Sequence, residues 1–410
     1  MLSFVPLGVS SYEGKQEKGD IKFTIDIEDN DADKLLIQVR DGANVIYEEE
    51  ITEESMLKIG SHPWYWDGFD NNGILDTKIL TEATNLNLLS KVWLEDEVEF
   101  ETIDFKASYE EVRWVDVKIN KSTKRIDVTL RVNLTDGGAY GIDCTNVSGS
   151  IKDGISPRTI CPWDKIPKNA ISVKKPILKQ RTKRFEELKQ MVLDGINTYW
   201  SRKSTKTKGT IIDGENWEVI VTAVNTDDSS ISLNDIPLIY NTNNSWSRSG
   251  NPGDSHFGDG NMMDELAKLL PDGIVQRISY NLGYIFEYFY LKNWDYQTDN
   301  AEEEEFKVTA AHEIGHEILQ AYGGNVYSWQ HKGSSYYMPQ NKKPIGKESF
   351  KEESINLDYM EETKGENYPP VGSEVDLMKY YHNEKDQKNR IVANAKDVQG
   401  LLWLAKLRLR

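Results

Sequence analysis

His312, Glu313 and His316 stand in the run Ala311-His312-Glu313-Ile314-Gly315-His316-Glu317-Ile318-Leu319, which has the spacing H-E-x-x-H. On a helix, residues four apart stack on one face, so both imidazoles can reach one ion about 2 Å away. Glu313 lies beside that face. It is too far round to ligate easily, yet close enough to take a proton from water that the ion polarises. Zinc lowers the pKa of such water to about 7, which suits attack on a carbonyl. A surface helix that carries two histidines and a glutamate without chemistry is the plain alternative. Against it, four of the six histidines, His312, His316, His331 and His382, fall between positions 312 and 382.

A catalytic zinc takes three protein ligands and keeps one position open. The third must come from further along the chain. His331, in Tyr327-Ser328-Trp329-Gln330-His331-Lys332-Gly333, is one candidate, and Glu374, in Gly372-Ser373-Glu374-Val375-Asp376-Leu377-Met378, is another. Glu361, Glu362, Asp376 and His382 are further acidic or imidazole groups in range. The pattern H-E-x-x-H-x-x-G-x-x-H would need a histidine at Tyr322, so the metzincin clan is excluded. The residues alone leave the third ligand open.

His312 to Gly324, Tyr327-Ser328-Trp329, His331-Lys332-Gly333-Ser334 and Glu374-Val375-Asp376-Leu377-Met378-Lys379-Tyr380-Tyr381 together resemble a family of zinc metallopeptidases. These occur as C-terminal extensions of VgrG spike proteins and as other type VI secretion effectors. The resemblance covers residues 110 to 410 and includes Ile196-Asn197-Thr198-Tyr199-Trp200-Ser201. It implies zinc held by His312, His316 and Glu374, with Glu313 as the base. It also implies zinc-dependent peptide-bond hydrolysis as a toxin, with a secretion-machine spike, an immunity protein and a peptide or protein substrate as partners. Its place of action would be a target cell, the periplasm favoured. His331 is then a second donor that stabilises the oxyanion, or a histidine satisfied by the fold. Tyr380 and Tyr381 are read as oxyanion donors or packing groups, and Met378 as an apolar floor by analogy with other zincins.

These residues need an α+β frame to hold them. The length of 410 residues predicts two domains, a β-sandwich over 1–109 and a zincin-like peptidase over 110–410. Ile21, Phe23, Ile25 and Ile27 alternate as one strand face, and Leu35 to Val39 form a second strand run. Trp66-Asp67-Gly68-Phe69-Asp70-Asn71-Asn72-Gly73 resembles a loop of the Ig-like domain of the flagellar hook-cap protein, which implies a docking or delivery module. A calcium loop there would need an aspartate at Gly68. Helices are predicted over 182–200, from Glu302 to a stop at Gly323-Gly324, and over 389–408. Hairpins are predicted at 112–132 and 209–223, Tyr284 to Leu291 reads as strand or helix, and Ser245 to Gly260 reads as a loop.

The 49 basic and 67 acidic residues give a formal charge of -18, which disfavours nucleic acid and anionic membranes as partners. No apolar run reaches the ~18 residues of a membrane span. Met1-Leu2-Ser3-Phe4-Val5-Pro6 lacks the pattern of a secretory signal, so export by a route independent of a signal peptide is expected. Cys144 and Cys161 are read as unpaired thiols or one bridge, and the sequence does not decide between them. A zinc-dependent peptidoglycan amidase or endopeptidase would use the same residues, and a non-catalytic metal-binding adaptor would keep only the ligands.

Overall fold

A computed structural model describes residues 2–140, 145–147, 158–160, 181–205, 207–241, 249, 277–281, 283–288, 291–296, 301–329, 366–367, 369–370, 372–379, 381–382 and 388–410. The fold is α+β and rich in strands. Cys144, Cys161, His331, Glu361, Glu362, Tyr380 and most of the 245–260 loop lie outside the described residues. None of the described helices is long and apolar enough to cross a membrane. The chain divides into two compact units, neither of them contiguous: residues 1–129, 202–220 and 395–410, and residues 130–201 and 221–394.

The first unit is built on antiparallel strands. One four-stranded sheet has the order Asn44–Ile51, Lys34–Asp41, Leu86–Leu94, Glu97–Asp104. Leu35, Ile37 and Val39 are fully buried and alternate with the half-buried Leu36 and Gln38, as a half-covered sheet requires. Ile21–Ile27 pairs separately with Gly60–Trp66, and of the predicted face Ile21, Ile25 and Ile27 are buried while Phe23 is half-buried. The loop after Trp66 uses its own side chains as a brace. Trp66 Nε1 donates to the Phe69 carbonyl at 2.8 Å, and Asp70 Oδ1 accepts from Asn72 and Ile74 at 2.9 and 2.8 Å. Gly68 and Gly73 supply the positive φ values of 81° and 72° that the turns need.

The terminal segment departs from the predicted 389–408 helix. The observed helix spans Ala395–Leu404, and Leu407–Leu409 is a strand between Leu2–Phe4 and Ala107–Tyr109. Leu407 and Leu409 fit a period of two as well as they extend a helical stripe, and two strand partners decide the matter. The hairpins are found as expected. Val115–Asn120 is followed by Arg125–Tyr140, with Lys124 at φ 52°, and Thr210–Ile212 turns through Asp213 and Gly214 into Glu215–Asn225.

In the second unit, Asp235–Asn241 runs parallel to the distal half of Arg125–Tyr140, and Ile278–Asn281 runs parallel to Asp235–Asn241. Gly283–Tyr288 and Leu291–Tyr296 form an antiparallel pair, so the described part of the ambiguous aromatic segment is strand. Two helices pack together, Phe185–Tyr199 and Ala301–Trp329. The first starts where the 182–200 pattern begins, with Arg184 N–H donating to Glu187 Oε2 at 2.8 Å. The helices touch at Gly195, where a Cβ would lie 2.4 Å from the Lys307 carbonyl oxygen. Any larger side chain there would push the second helix, and what it carries, away. Lys183 also ties the helix start, with Nζ 2.5 Å from Glu303 Oε1.

Candidate metal centre

The helix Ala301–Trp329 carries both motif histidines, His316 buried and His312 half-buried. Its apolar residues Phe306, Ala310, Ala311, Ile314, Ile318, Leu319 and Tyr322 are all buried. Glu302, Glu303 and Glu304 occupy its first turn, where the positive end of the helix dipole favours them. Trp200 Nε1 donates to the Ala311 carbonyl at 3.0 Å, and the Tyr199 hydroxyl donates to Glu304 Oε2 at 3.3 Å. Burial and the Glu304 carboxylate push the Tyr199 phenol well above its ordinary range, so it remains a donor. Together these contacts fix the helix along its length.

At the motif itself, both imidazoles are oriented from behind. His312 Nδ1 lies 2.7 Å from the Leu377 carbonyl oxygen, and His316 Nδ1 lies 3.0 Å from the Ser328 carbonyl oxygen. A carbonyl only accepts, so each Nδ1 carries the proton and each Nε2 carries a lone pair. The two Nε2 atoms are 3.2 Å apart, with the rings edge to face at 87°. Two lone pairs at that distance repel unless a proton or a metal cation sits between them. Zn–N bonds of about 2.05 Å at a tetrahedral angle would space two nitrogens about 3.3 Å apart. The donor set and its spacing fit such an ion. Glu313, the residue after His312, is half-buried, and Glu317 Oε1 accepts from Asn234 Nδ2 at 3.2 Å.

Both backing carbonyls depend on the path of the chain. The predicted stop at Gly323-Gly324 is a break rather than an end: Gly324 takes φ 82° and ψ 170°, and helical turns resume to Trp329. That break returns Ser328 to His316, whose carbonyl oxygen also accepts from Ser328 Oγ at 2.6 Å. The Leu377 carbonyl is set by a turn in which Asp376 Oδ1 accepts from Met378 N–H at 2.9 Å and Val392 accepts from Leu377 N–H at 3.0 Å. Asp376 thus serves the turn. Met378 is fully buried, and a Cβ at Gly315 would lie 2.4 Å from its Sδ and 2.9 Å from Trp200 Cζ2. The thioether packs against the helix at Gly315, where only glycine leaves it room.

The structure brings His312 and His316 together. Among the described residues, no group of three His, Cys, Asp or Glu side chains is gathered for a metal. Glu374 is half-buried on the segment leading to the Leu377 carbonyl, and the side chains of Tyr381 and His382 are not described. Sequence reading missed Ser328, Leu377 and Asn234. Ser328 and Leu377 each lay within a run singled out in the sequence, Tyr327-Ser328-Trp329 and Glu374 to Tyr381, but their backbone role had no signal, and Asn234 had none at all. Comparison with protein-family models, curated proteins and solved structures finds no match.

Proposed function

We propose that this chain is a zinc-dependent peptide-bond hydrolase of the zincin type, acting as a secreted effector on a protein or peptide of a target cell. The supporting observation is the pair of imidazole Nε2 atoms, 3.2 Å apart and each oriented by a backbone carbonyl behind it, with Glu313 following His312 on the same helix. His312, His316 and Glu374 would hold the ion. When bound, zinc would supply Lewis acidity toward water and toward the substrate carbonyl. Glu313 takes the proton of the attacking water and returns it to the leaving amine, the general acid–base role its position allows. His331 donates to the developing oxyanion. Met378 and Trp200 pack against the motif helix at Gly315. The Ig-like reading of the N-terminal strands as a delivery module, and the periplasm as place of action, rest on the resemblances alone.

The protein, loaded with zinc, is expected to cleave an unfolded protein substrate, to stop on chelation and to resume when zinc is returned. A parallel panel of muropeptides separates a peptidase from a cell-wall amidase or endopeptidase. Cleavage that survives exhaustive chelation, or no cleavage of either class together with no zinc bound, overturns the proposal.

A second expectation concerns Gly324. No atom crowds its Cβ position, so Gly324→Ala tests backbone conformation alone. Side chains avoid φ 82° with ψ 170°, and forcing one there costs about 1–3 kcal/mol. Relaxation would move Ser328 off His316 Nδ1 and weaken zinc binding about ten- to a hundredfold, the usual effect of losing a group that orients a ligand. Calorimetric zinc titration of the variant reads this directly. Unchanged affinity would detach the helix break from the metal site.

A further inference from the structure

The strand Glu97–Asp104 is unusual in that all eight of its residues are exposed, including Phe100 at 71% and Val98 at 48%. It ends its four-stranded sheet, pairing only with Leu86–Leu94 among the described residues. Its hydrogen-bond phase is fixed by two observations. Phe105 N–H donates to the Leu86 carbonyl, and the Trp93 carbonyl, opposite Val98, accepts from Asp33 instead. Antiparallel pairs alternate between bonded and non-bonded, so Glu97, Glu99, Glu101 and Ile103 bond inward. Val98, Phe100, Thr102 and Asp104 therefore direct their N–H and C=O groups outward. The same alternation sorts the side chains, with Glu97, Glu99 and Glu101 on one face and Val98 and Phe100 on the other. None of these three carboxylates is in an ion pair or a side-chain hydrogen bond among the described residues.

An open edge of this length is a template for another strand. We infer that Glu97–Asp104 is a docking edge for an extended basic segment of a partner protein, which adds antiparallel to it as a fifth strand. Charge selects the occupant. A second copy of this edge must pair outward-facing residues with outward-facing residues; pairing Phe100 with Phe100 places Glu99 opposite Glu101 on the other face, and a shift of one step toward Thr102 places Glu101 opposite Glu101. Like charges directly opposite are unfavourable, so self-pairing is resisted. A segment that alternates lysine or arginine with apolar residues meets both faces: its cations oppose the three glutamates and its apolar side chains cover Val98 and Phe100. The main-chain bonds supply affinity and the alternation supplies selectivity. This inference is independent of the zinc site.

The test uses the whole protein and a labelled heptapeptide that alternates lysine with valine, followed by fluorescence anisotropy at physiological salt. In the proposed register, the valines face Phe100 and Val98 in bonded pairs. N-methylation of the valines is therefore expected to abolish binding, while N-methylation of the lysines leaves it intact. Thr102→Pro removes one outward N–H and leaves the inward ladder whole, a position where an edge strand tolerates proline. It is expected to weaken binding by at least about tenfold. Glu99→Lys with Glu101→Lys is expected to abolish binding of the lysine peptide and to admit the glutamate-for-lysine version. In hydrogen exchange, the peptide should slow the amides of Val98, Phe100 and Thr102 selectively. Equal binding of both N-methylated peptides, no binding of the parent peptide, or self-association that Thr102→Pro removes would each overturn the inference, the last in favour of a second copy.

Discussion

Glu313→Gln is expected to lower turnover by about a hundred- to ten-thousandfold while the protein still binds about one zinc per chain. The helix separates the two properties. About 100° of turn per residue sets Glu313 roughly 100° from His312 and 60° from His316, beside the face on which the two Nε2 atoms converge. A side chain there reaches a water near the pair more readily than the point between the nitrogens. Glutamine keeps the volume and the hydrogen-bonding reach of glutamate and loses only the ability to accept a proton. The ligands and their backing carbonyls at Leu377 and Ser328 do not involve Glu313, so the metal has no reason to leave. Elemental analysis beside the rate distinguishes the outcomes. If zinc disappears together with activity, Glu313 is a ligand and the base lies elsewhere.

The part of this site legible in the sequence is the part made by local periodicity. His312 and His316 share a face because one helix holds them, and Gly324 marks a break because few other residues tolerate its backbone. The strand face of Ile21, Ile25 and Ile27 was readable for the same reason, a short period repeated within one element. What orients the histidines was not readable. Leu377 contributes a backbone carbonyl, which every residue has, from 65 positions away. The contact of Met378 with Gly315 depends on a turn braced by Asp376 and Val392, neither of which announces that function. The terminal segment failed in the opposite way. Its helical stripe was real as far as Leu404, but Leu407 and Leu409 had strand partners that no local pattern reveals.

Glu374→Ala is expected to weaken zinc binding by orders of magnitude, whereas His331→Ala should keep most of the metal and slow turnover. The reasoning is electrostatic. Two neutral imidazoles and one carboxylate leave a divalent ion with a net charge of about +1, enough to polarise both water and a carbonyl. Three imidazoles leave about +2 and favour a bound hydroxide, a setting better matched to hydration than to peptide hydrolysis. The carboxylate is also the strongest single attraction the ion feels in a poorly screened cleft, so its loss outweighs the loss of one neutral donor. The segment bearing Glu374 already touches the site, since the Leu377 carbonyl three residues later holds His312. The observed centre contains two convergent donors, and among the described residues no third joins them, so this pair of variants bears directly on the proposal. Competition with a graded chelator reads it: Glu374→Ala should release zinc at concentrations that leave His331→Ala loaded. The reverse order would make the site three histidines, remove Glu374 from the metal, and require a different donor for the oxyanion.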